Sequence, residues 1–237
     1  MKSSGLMPSM SRVLEDLSLR NRQMVFQDRT DAGRRLAAFI KENLVLDNPL
    51  VCAIPAGGVP VGVQLAEAFQ ARMMLGVVRK LKIPWNPEAG FGAMTWDGTI
   101  FLNDPLVKQL KLTPEEIKVA ATETKEIIKQ RVERFTGGYP RPSSRGLQVI
   151  LTDDGLASGY TMLAAIEAIR PEGPAEIIVA VPTGSAGAVT LVSKKADIIV
   201  CLNFKDRYPF AVADAYRRWH DLSDDEVIES LRTLDKR

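Results

Sequence analysis

Five short stretches of the chain are apolar almost throughout, and amphipathic segments separate them. The apolar stretches lie at 50–54, 74–78, 147–152, 176–181 and 197–202. Strands that are apolar on both faces are typical of a parallel sheet that helices cover on both sides. The amphipathic segments predict helices at 31–43, 60–69, 113–135, 159–169, 186–195 and 223–234. This alternation predicts a three-layer α/β/α, Rossmann-like fold with a mostly parallel sheet.

Polar residues mark where three of these helices begin. Asp31, Thr113 and Ser223 can each accept hydrogen bonds from the free backbone N–H groups at a helix start. A glutamate follows Thr113 and Ser223 three positions later, which is the spacing of a capping box. The three residues are therefore predicted to be helix caps.

One segment, 82–112, interrupts the alternation of strands and helices. Its Asp97-Gly98 pair lies between residues suited to strands and predicts a tight hairpin, because glycine adopts positive φ at little cost. Long inserted segments that contain aromatic residues are typically binding loops or lids. We interpret 82–112 as a lid.

Composition narrows the range of functions. Lys plus Arg number 31 and Asp plus Glu 29, so the net charge of +2 gives no reason to expect a nucleic-acid partner. Cys52 and Cys201 both lie in apolar stretches, where a thiol packs as a small hydrophobic group, which argues against a metal-ligand cluster. No apolar stretch reaches the length of a membrane span, and the first residues lack the pattern of a signal peptide. We expect a cytoplasmic protein without a membrane partner.

The most informative stretch, at 149–161, reads Val-Ile-Leu-Thr-Asp-Asp-Gly-Leu-Ala-Ser-Gly-Tyr-Thr. Its last residues place backbone N–H groups and two hydroxyls at the start of a predicted helix, where the helix dipole favours a phosphate group. Asp153 and Asp154 precede this turn, and carboxylates accept hydrogen bonds from sugar hydroxyls and hold Mg²⁺ through water. The stretch predicts a site for a sugar phosphate with free vicinal hydroxyls. The alternative is an ordinary turn into a helix.

This stretch resembles the signature of type I phosphoribosyltransferases, which bind phosphoribosyl pyrophosphate (PRPP). The resemblance implies that Asp153 and Asp154 contact the ribose hydroxyls, act in catalysis and help to hold Mg²⁺, through water or through those hydroxyls. The other substrate-binding residues that it implies are Gly155, Leu156, Ala157, Ser158, Gly159, Tyr160 and Thr161. The sequence departs from the family at Gly155, where a branched apolar residue is more common, and at Tyr160, which is bulky and could either cover the site or pack.

A second loop follows the first apolar stretch, and its two glycines let the backbone approach an anion closely. Family members bind pyrophosphate in this loop, which implies that Ala56, Gly57 and Gly58 bind substrate. Related loops often carry Arg or Lys at the position of Ala56, so here the cation must come from elsewhere. We predict that Arg79 and Lys80, after the second apolar stretch, supply it as catalytic residues. The alternatives are a glycine-rich turn and a solvated strand end.

The resemblance also implies a small hood, built from N- and C-terminal segments, that covers a base, and an antiparallel edge strand supplied by the hairpin. We assign residues 1–25 to an N-terminal extension and residues 26–237 to a single domain. His220 is predicted to be structural or exposed, and the basic stretch 129–134 is interpreted as a solvated helix face. Family members are commonly dimers, which implies a homodimer.

The implied reaction transfers the phosphoribosyl group of PRPP to a nitrogen heterocycle, such as a nucleobase, with Mg²⁺ as cofactor and pyrophosphate as the second product. It requires no protein nucleophile, and the sequence offers none. An alternative is a non-catalytic protein of the same fold that binds PRPP or a nucleotide and regulates another process. A third hypothesis is a different phosphosugar enzyme on a doubly wound sheet. The transferase and the regulatory hypotheses differ in whether the protein releases pyrophosphate from PRPP when a base is present.

Overall fold

The computed structural model describes residues 12–137 and 141–235, apart from the side chains of residues 87, 88 and 235. The strands of this part of the chain are β1 (Arg12–Leu14), β2 (Leu50–Ala53), β3 (Arg72–Leu75), β4 (Val78–Ile83), β5 (Asn86–Thr95), β6 (Ile100–Leu102), β7 (Gln148–Thr152), β8 (Glu176–Ser185) and β9 (Ile198–Lys205). The helices are α1 (Arg29–Asn43), α2 (Gly58–Phe69), α3 (Asp104–Leu110), α4 (Pro114–Thr136), α5 (Tyr160–Ile169), α6 (Ala186–Val192) and α7 (Asp224–Asp235). Short 3₁₀ turns lie at Arg170–Glu172 and Val212–Ala215.

The strands form two sheets. The main sheet has the order β1-β9-β8-β7-β2-β3, and all its neighbouring strands run parallel. A separate sheet contains β4, β5 and β6, which pair antiparallel. The parallel sheet flanked by helices confirms the predicted fold class.

Three apolar clusters hold these layers together. Neighbouring residues of β7 alternate between clusters on opposite faces of the main sheet: Leu151 packs with α5, and Ile150 packs with α1 and α2. The third cluster joins the small sheet to α2, α4 and α7. The strands of the main sheet are apolar on both faces because both faces are covered.

The caps at 113 and 223 are confirmed, and the cap at 31 is wrong. Thr113 forms a full capping box with Glu116, and Ser223 makes the same hydrogen bonds with Glu226. Helix α1 begins earlier than predicted, because the carboxylate of Asp28 accepts a hydrogen bond from the backbone N–H of Asp31. The shift brings Arg29 into the first turn of α1.

The segment 82–112, which is predicted to be a lid, contains the end of β4 and all of β5, β6 and α3. Its Asp97-Gly98 hairpin is confirmed, with Gly98 at φ 87° and the Asp97 carboxylate accepting a hydrogen bond from the backbone N–H of Thr99. The predicted edge strand is wrong, because β5 and β6 pair in the small sheet and not in the main one. The predicted strand 74–78 is also two strands, since the chain leaves the main sheet after Leu75 and starts β4 at Val78.

The N-terminal segment packs against β9 and the residues that follow it. Strand β1 pairs with β9, so residues 12–25 belong to the domain rather than to an extension, while residues 1–11 lie outside the described residues. The backbone of Phe26 is hydrogen-bonded to Ala215 and Arg217, which joins the two segments predicted to form the hood. Within the described ranges, no helix is long and apolar enough to cross a membrane.

Candidate active site

The site lies between β2 and β7, where the order in which the chain adds strands to the main sheet reverses. From β2 the chain crosses to β3 on one side, and from β7 it continues to β8 and β9 on the other. Ala53 and Thr152 are partners at the ends of β2 and β7, so the two loops that follow start side by side. Ligands of open α/β sheets bind at such a switch point, beyond the carboxyl ends of the strands.

Glycine is required where these loops touch. A Cβ on Gly57 would lie 1.9 Å from Oδ2 of Asp154, and one on Gly58 would lie 2.8 Å from Cα of Asp153. Any other residue would push the first turn of α2 away from the acidic pair. Gly57 and Gly58 therefore let the two predicted loops pack directly against each other.

Asp153 faces a cavity. Its Oδ1 accepts a hydrogen bond of 2.8 Å from the backbone N–H of Asp154, and its side chain lines the cavity described below. Burial, followed by the charge of Asp154, raises the pKa of the Asp153 carboxyl well above its usual value. Asp153 is thus a carboxylate in an environment that disfavours its charge.

Asp154 faces the other way and is paired with a cation. Nε of Arg29 lies 2.8 Å from Oδ2 of Asp154, and the two side chains are 8% and 14% exposed. Burial raises the pKa of Asp154, although the charge and hydrogen bond of Arg29 oppose that rise. The two adjacent carboxylates therefore have different surroundings.

The C-terminal segment holds Arg29 in place. Its guanidinium lies 3.9 Å from the centroid of the Trp219 ring and donates a hydrogen bond to the backbone carbonyl of His220. The hydroxyl of Tyr216 donates to the backbone carbonyl of Asp154. Sequence analysis missed Arg29, because it is 125 residues from Asp154 and no local pattern marks it.

The loop after the acidic pair ends in the first turn of α5. Gly159 is the N-cap at φ 82°, so no side chain caps this helix start. Ala157 and Ser158 are exposed, Tyr160 and Thr161 are half-buried, and within the described ranges neither the Ser158 nor the Thr161 hydroxyl makes a hydrogen bond. The turn therefore presents unused donors beside the positive end of a helix dipole.

The departures from the family pattern have structural reasons. A Cβ on Gly155 would lie 2.7 Å from Cγ1 of Val212, so the 3₁₀ turn leaves no room for a branched side chain. Leu156 is buried and exchanges backbone hydrogen bonds with Thr183 and Ser185. The Tyr160 ring lies 6.2 Å from that of Phe101, so Tyr160 packs towards the small sheet.

One cavity of about 910 Å³, the main cavity, brings several predicted residues together. The predicted residues that line it are Ala56, Arg79, Lys80, Asp153 and Thr161. Helix α4 contributes three glutamates and the exposed Val119 and Ile127 to the lining. The main cavity is not lined by the other predicted residues, which are Asp154, Gly57, Gly58 and the loop 155–160.

The cations of the main cavity lie on β4, in the small sheet, rather than at a strand end of the main sheet. Arg79 is half-buried and, within the described ranges, no carboxylate oxygen lies close enough to form an ion pair with it. Burial, followed by the charge of Arg131, lowers the pKa of Arg79. Arg79 is thus a cation without a paired anion in the same cavity as Asp153.

Other candidate groups lie outside the main cavity. Cys52 and Cys201 are buried free thiols, and burial raises the pKa of Cys52 to about 12, which makes it unsuited to nucleophilic chemistry. His220 is exposed, as predicted, and its ring pairs with Glu226 at 2.7 Å. In the part of the chain that the structure describes, no group of three or more His, Cys, Asp or Glu side chains could hold a metal ion by itself.

Comparisons with known proteins identify a family. Residues 99–214, which include Asp153 and the loop after it, match the family model described as "Phosphoribosyl transferase domain". Two Mycobacterium tuberculosis proteins are each 38% identical over 209 residues: "Putative phosphoribosyl transferase MT0597" from strain CDC 1551 / Oshkosh and "Putative phosphoribosyl transferase Rv0571c" from strain ATCC 25618 / H37Rv. The match covers 87% of this chain and 46% of each relative, so the chain spans about half the length of the curated relatives it matches.

A solved structure extends the likeness over nearly the whole domain. The crystal structure of TT1426 from Thermus thermophilus is 30% identical, with a TM-score of 0.73 and coverage of 88% of this chain and 98% of that chain. The family match contains the β7 loop that sequence analysis singled out, and the relatives cover most of the chain. This chain therefore belongs to the phosphoribosyltransferase family.

Proposed function

We propose that the chain transfers the phosphoribosyl group of PRPP to a nitrogen heterocycle and releases pyrophosphate. The main cavity carries the proposal, because it brings together three separate segments: Asp153 and Thr161 from the stretch after β7, Ala56 after β2, and Arg79 on β4. PRPP has a 5′-phosphate, a ribose diol and a pyrophosphate. Each of these groups has a matching feature in or beside the cavity.

The start of α5 suits the 5′-phosphate. The first backbone N–H groups of a helix have no partner within the helix, and the dipole is positive there. The hydroxyls of Ser158 and Thr161 add two donors that make no hydrogen bond within the described ranges. In the proposed complex this turn binds the phosphate and fixes the position of the ribose.

Asp153 suits the ribose diol. An ionised carboxylate accepts hydrogen bonds from two hydroxyls, and the Asp153 side chain faces the main cavity. Asp154 is already paired with Arg29, so its role in the proposal is to hold the loop rather than to contact the ribose. This assigns different roles to the two carboxylates that sequence analysis treated alike.

Arg79 suits the pyrophosphate. Its guanidinium has no paired carboxylate among the described residues and can bind phosphate oxygens in a bidentate manner. Ala56 lines the same cavity but carries no charge, so its loop can offer only backbone donors at that position. Arg79 thus supplies the cation that related loops carry within the loop itself.

The residues present fit a Mg²⁺ ion of the kind that substrates help to hold. Mg²⁺ is usually bound by one or two carboxylates, water and substrate phosphates rather than by a cage of protein ligands. Asp153 can supply the carboxylate. When bound, Mg²⁺ neutralises charge on the pyrophosphate.

In the proposed reaction, the bond from the ribose C1 to the pyrophosphate oxygen breaks, and the heterocycle nitrogen forms a bond to C1. The electron pair of the broken bond leaves with pyrophosphate, and positive charge develops on the ribose ring. The chain contributes position and charge rather than a nucleophile. Val119 and Ile127 of α4 add exposed apolar side chains to the lining of the cavity.

Cytoplasmic location stays a prediction from the sequence pattern, and assembly as a homodimer stays a prediction from the family resemblance. Sedimentation of the purified chain tests the second. A single species at twice the chain mass is expected, and a monomer at all concentrations would contradict it.

Base-dependent release of pyrophosphate tests the proposed function. The wild-type chain is incubated with PRPP, Mg²⁺ and one member of a panel of nitrogen heterocycles, and pyrophosphate and the nucleotide product are measured. Asp153→Asn is expected to lower the rate by about a hundredfold or more. The matched control is Asp47→Asn, because Asp47 is exposed and does not line the cavity. Equal rates in Asp153→Asn and wild type would refute the site. PRPP binding without release by any heterocycle would favour the regulatory alternative.

A further inference from the structure

A second pocket adjoins the main cavity. It has a volume of about 440 Å³ and lies between β4, α4 and the start of α7. Three arginines line it, and we call it the arginine pocket: Arg79, Arg131 and Arg134. It shares Arg79 and Ile127 with the main cavity, so the two volumes meet at these residues.

The arginine pocket carries an excess of positive charge. Arg131 lies 2.5 Å from Asp224, and Arg134 contacts both Asp224 and Asp225. Asp225 is 84% exposed, so water screens its charge strongly. Arg79 adds a third guanidinium, and this one has no paired carboxylate among the described residues. Three arginines therefore line the pocket against a single partly buried carboxylate, that of Asp224.

Arg131 is held in place before any ligand binds. Arg131 is 15% exposed, and its guanidinium lies 5.2 Å from the centroid of the Phe135 ring. Asp224 lies at the start of α7, a helix that a Ser223 capping box fixes. A preorganised guanidinium loses little freedom when it binds an anion, which favours affinity.

Arg79 and Arg131 also repel each other. Burial, followed by the charge of Arg131, lowers the pKa of Arg79. An anion between the two guanidiniums would relieve that repulsion and replace water around a half-buried charge. Planar guanidiniums bind phosphoryl oxygens in a bidentate manner, so a phosphoryl group is the anion that they fit best.

We propose that the arginine pocket binds a phosphoryl group. Two sources share this chemistry: the distal phosphate of the pyrophosphate of PRPP, which rests on the proposed function, and a separate phosphorylated ligand. In the first case Arg131 and Arg134 extend the pyrophosphate site beyond Arg79. In the second case the pocket is a site of its own beside the main cavity.

Calorimetric titration of the full chain with inorganic pyrophosphate tests the proposal. Arg131→Met and Arg134→Met are compared with wild type and with Arg170→Met, a partly exposed arginine that pairs with Asp197 elsewhere. Loss of one charge-assisted hydrogen bond is expected to weaken pyrophosphate binding about tenfold or more in Arg131→Met. The control is expected to bind as wild type does.

Asp224→Asn gives a test of opposite sign, which holds even if Arg131→Met fails to fold. Removing the competing carboxylate is expected to tighten pyrophosphate binding about threefold or more. Unchanged affinity in Asp224→Asn, or pyrophosphate binding by the arginine variants equal to that of Arg170→Met, would overturn the proposal.

A competition arm separates the two sources. If saturation with PRPP and Mg²⁺ abolishes the pyrophosphate binding that depends on Arg134, the distal phosphate of PRPP occupies the pocket. If that binding persists, the pocket takes a separate phosphorylated ligand. Failure of PRPP to bind, with pyrophosphate binding still dependent on Arg134, would refute the proposed function and leave the arginine pocket standing.

Discussion

The buried pair of Arg29 and Asp154 makes a quantitative prediction about stability. In Arg29→Met, the Asp154 carboxylate stays against Gly57 and loses its cation. Because the two side chains are 8% and 14% exposed, water cannot replace the guanidinium unless the loop moves. Removing one partner of a buried ion pair costs about 3–5 kcal/mol, and the contact with Trp219 is lost as well. We expect Arg29→Met to lower the free energy of unfolding by about 3–5 kcal/mol.

A double-variant cycle isolates the pair from the rest of the network. Arg29→Met/Asp154→Asn removes both charges and keeps the shape of the Asp154 side chain. It is expected to be more stable than the sum of the two single changes predicts, by about 2 kcal/mol or more. Urea denaturation at pH 7, monitored by circular dichroism, gives the free energies of unfolding of wild type, the two single variants and the double variant. Arg34→Met, an exposed residue of the same helix, is expected to change stability by less than about 1 kcal/mol.

The pH dependence of Arg29→Met provides a second check. Arg29 lowers the pKa of Asp154, so its loss raises that pKa further. A carboxyl whose pKa is higher in the folded than in the unfolded protein stabilises the fold when protonated, and this stabilisation is lost as pH rises through the folded value. The deficit of Arg29→Met relative to wild type should therefore shrink as pH falls from 7 towards 4. A cost below about 1 kcal/mol, or a deficit independent of pH, would refute the reasoning.

Three further predictions concern single groups near the site. Burial and the charge of Asp154 raise the pKa of Asp153, so Asp153→Asn should raise the free energy of unfolding at pH 7 by on the order of 1 kcal/mol. Urea denaturation at several pH values should show that this gain is lost as the pH falls to about 4. A gain that persists at about pH 4 would contradict the raised pKa of Asp153 as its cause. Gly57→Ala places a Cβ 1.9 Å from Asp154 and should lower the melting temperature by several degrees in scanning calorimetry, whereas Gly187→Ala, with 3.5 Å to its nearest neighbour, should change it little. Burial raises the pKa of Cys52 to about 12, so a thiol reagent should label Cys52 only after unfolding, and rapid labelling of the native protein would contradict the burial.

The parts of the fold that the sequence predicts are those that local patterns determine. A β7 strand apolar at neighbouring positions shows burial on both faces, and capping boxes need only residues three positions apart. The Asp97-Gly98 turn is equally local, because positive φ at Gly98 depends on the turn itself. Such patterns identify strands, helix starts and hairpins without any knowledge of tertiary contacts.

The errors arise where pairing decides the outcome. The hairpin joins a separate sheet because β4 continues from Val78 to Ile83 and offers β5 a long antiparallel partner. Buried and exposed residues alternate loosely along β4, but in the sequence β4 follows the apolar stretch 74–78 without a break and resembles the end of that strand. Strand β1 was missed because a three-residue strand carries little signal before its pairing with β9 is known.

The candidate site divides in the same way. The residues from Asp153 to Thr161 are contiguous, so a motif identifies them. The different roles of Asp153 and Asp154 depend on a distant residue. Arg29 forms an ion pair with Asp154 and not with Asp153, and no sequence pattern near position 29 indicates this. The prediction that 129–134 is a solvated helix face is wrong for Arg131, because Arg131 pairs with Asp224, 93 residues away.

The central claim is that the main cavity is the PRPP site and that Asp153, rather than Asp154, contacts the ribose. Calorimetric titration with PRPP, with and without Mg²⁺, tests it directly in wild type, Asp153→Asn and the control Asp47→Asn. The account predicts binding that Mg²⁺ strengthens, unchanged in the control and weakened about tenfold or more in Asp153→Asn. No binding of PRPP by folded wild-type protein, or equal affinity in Asp153→Asn, would contradict it.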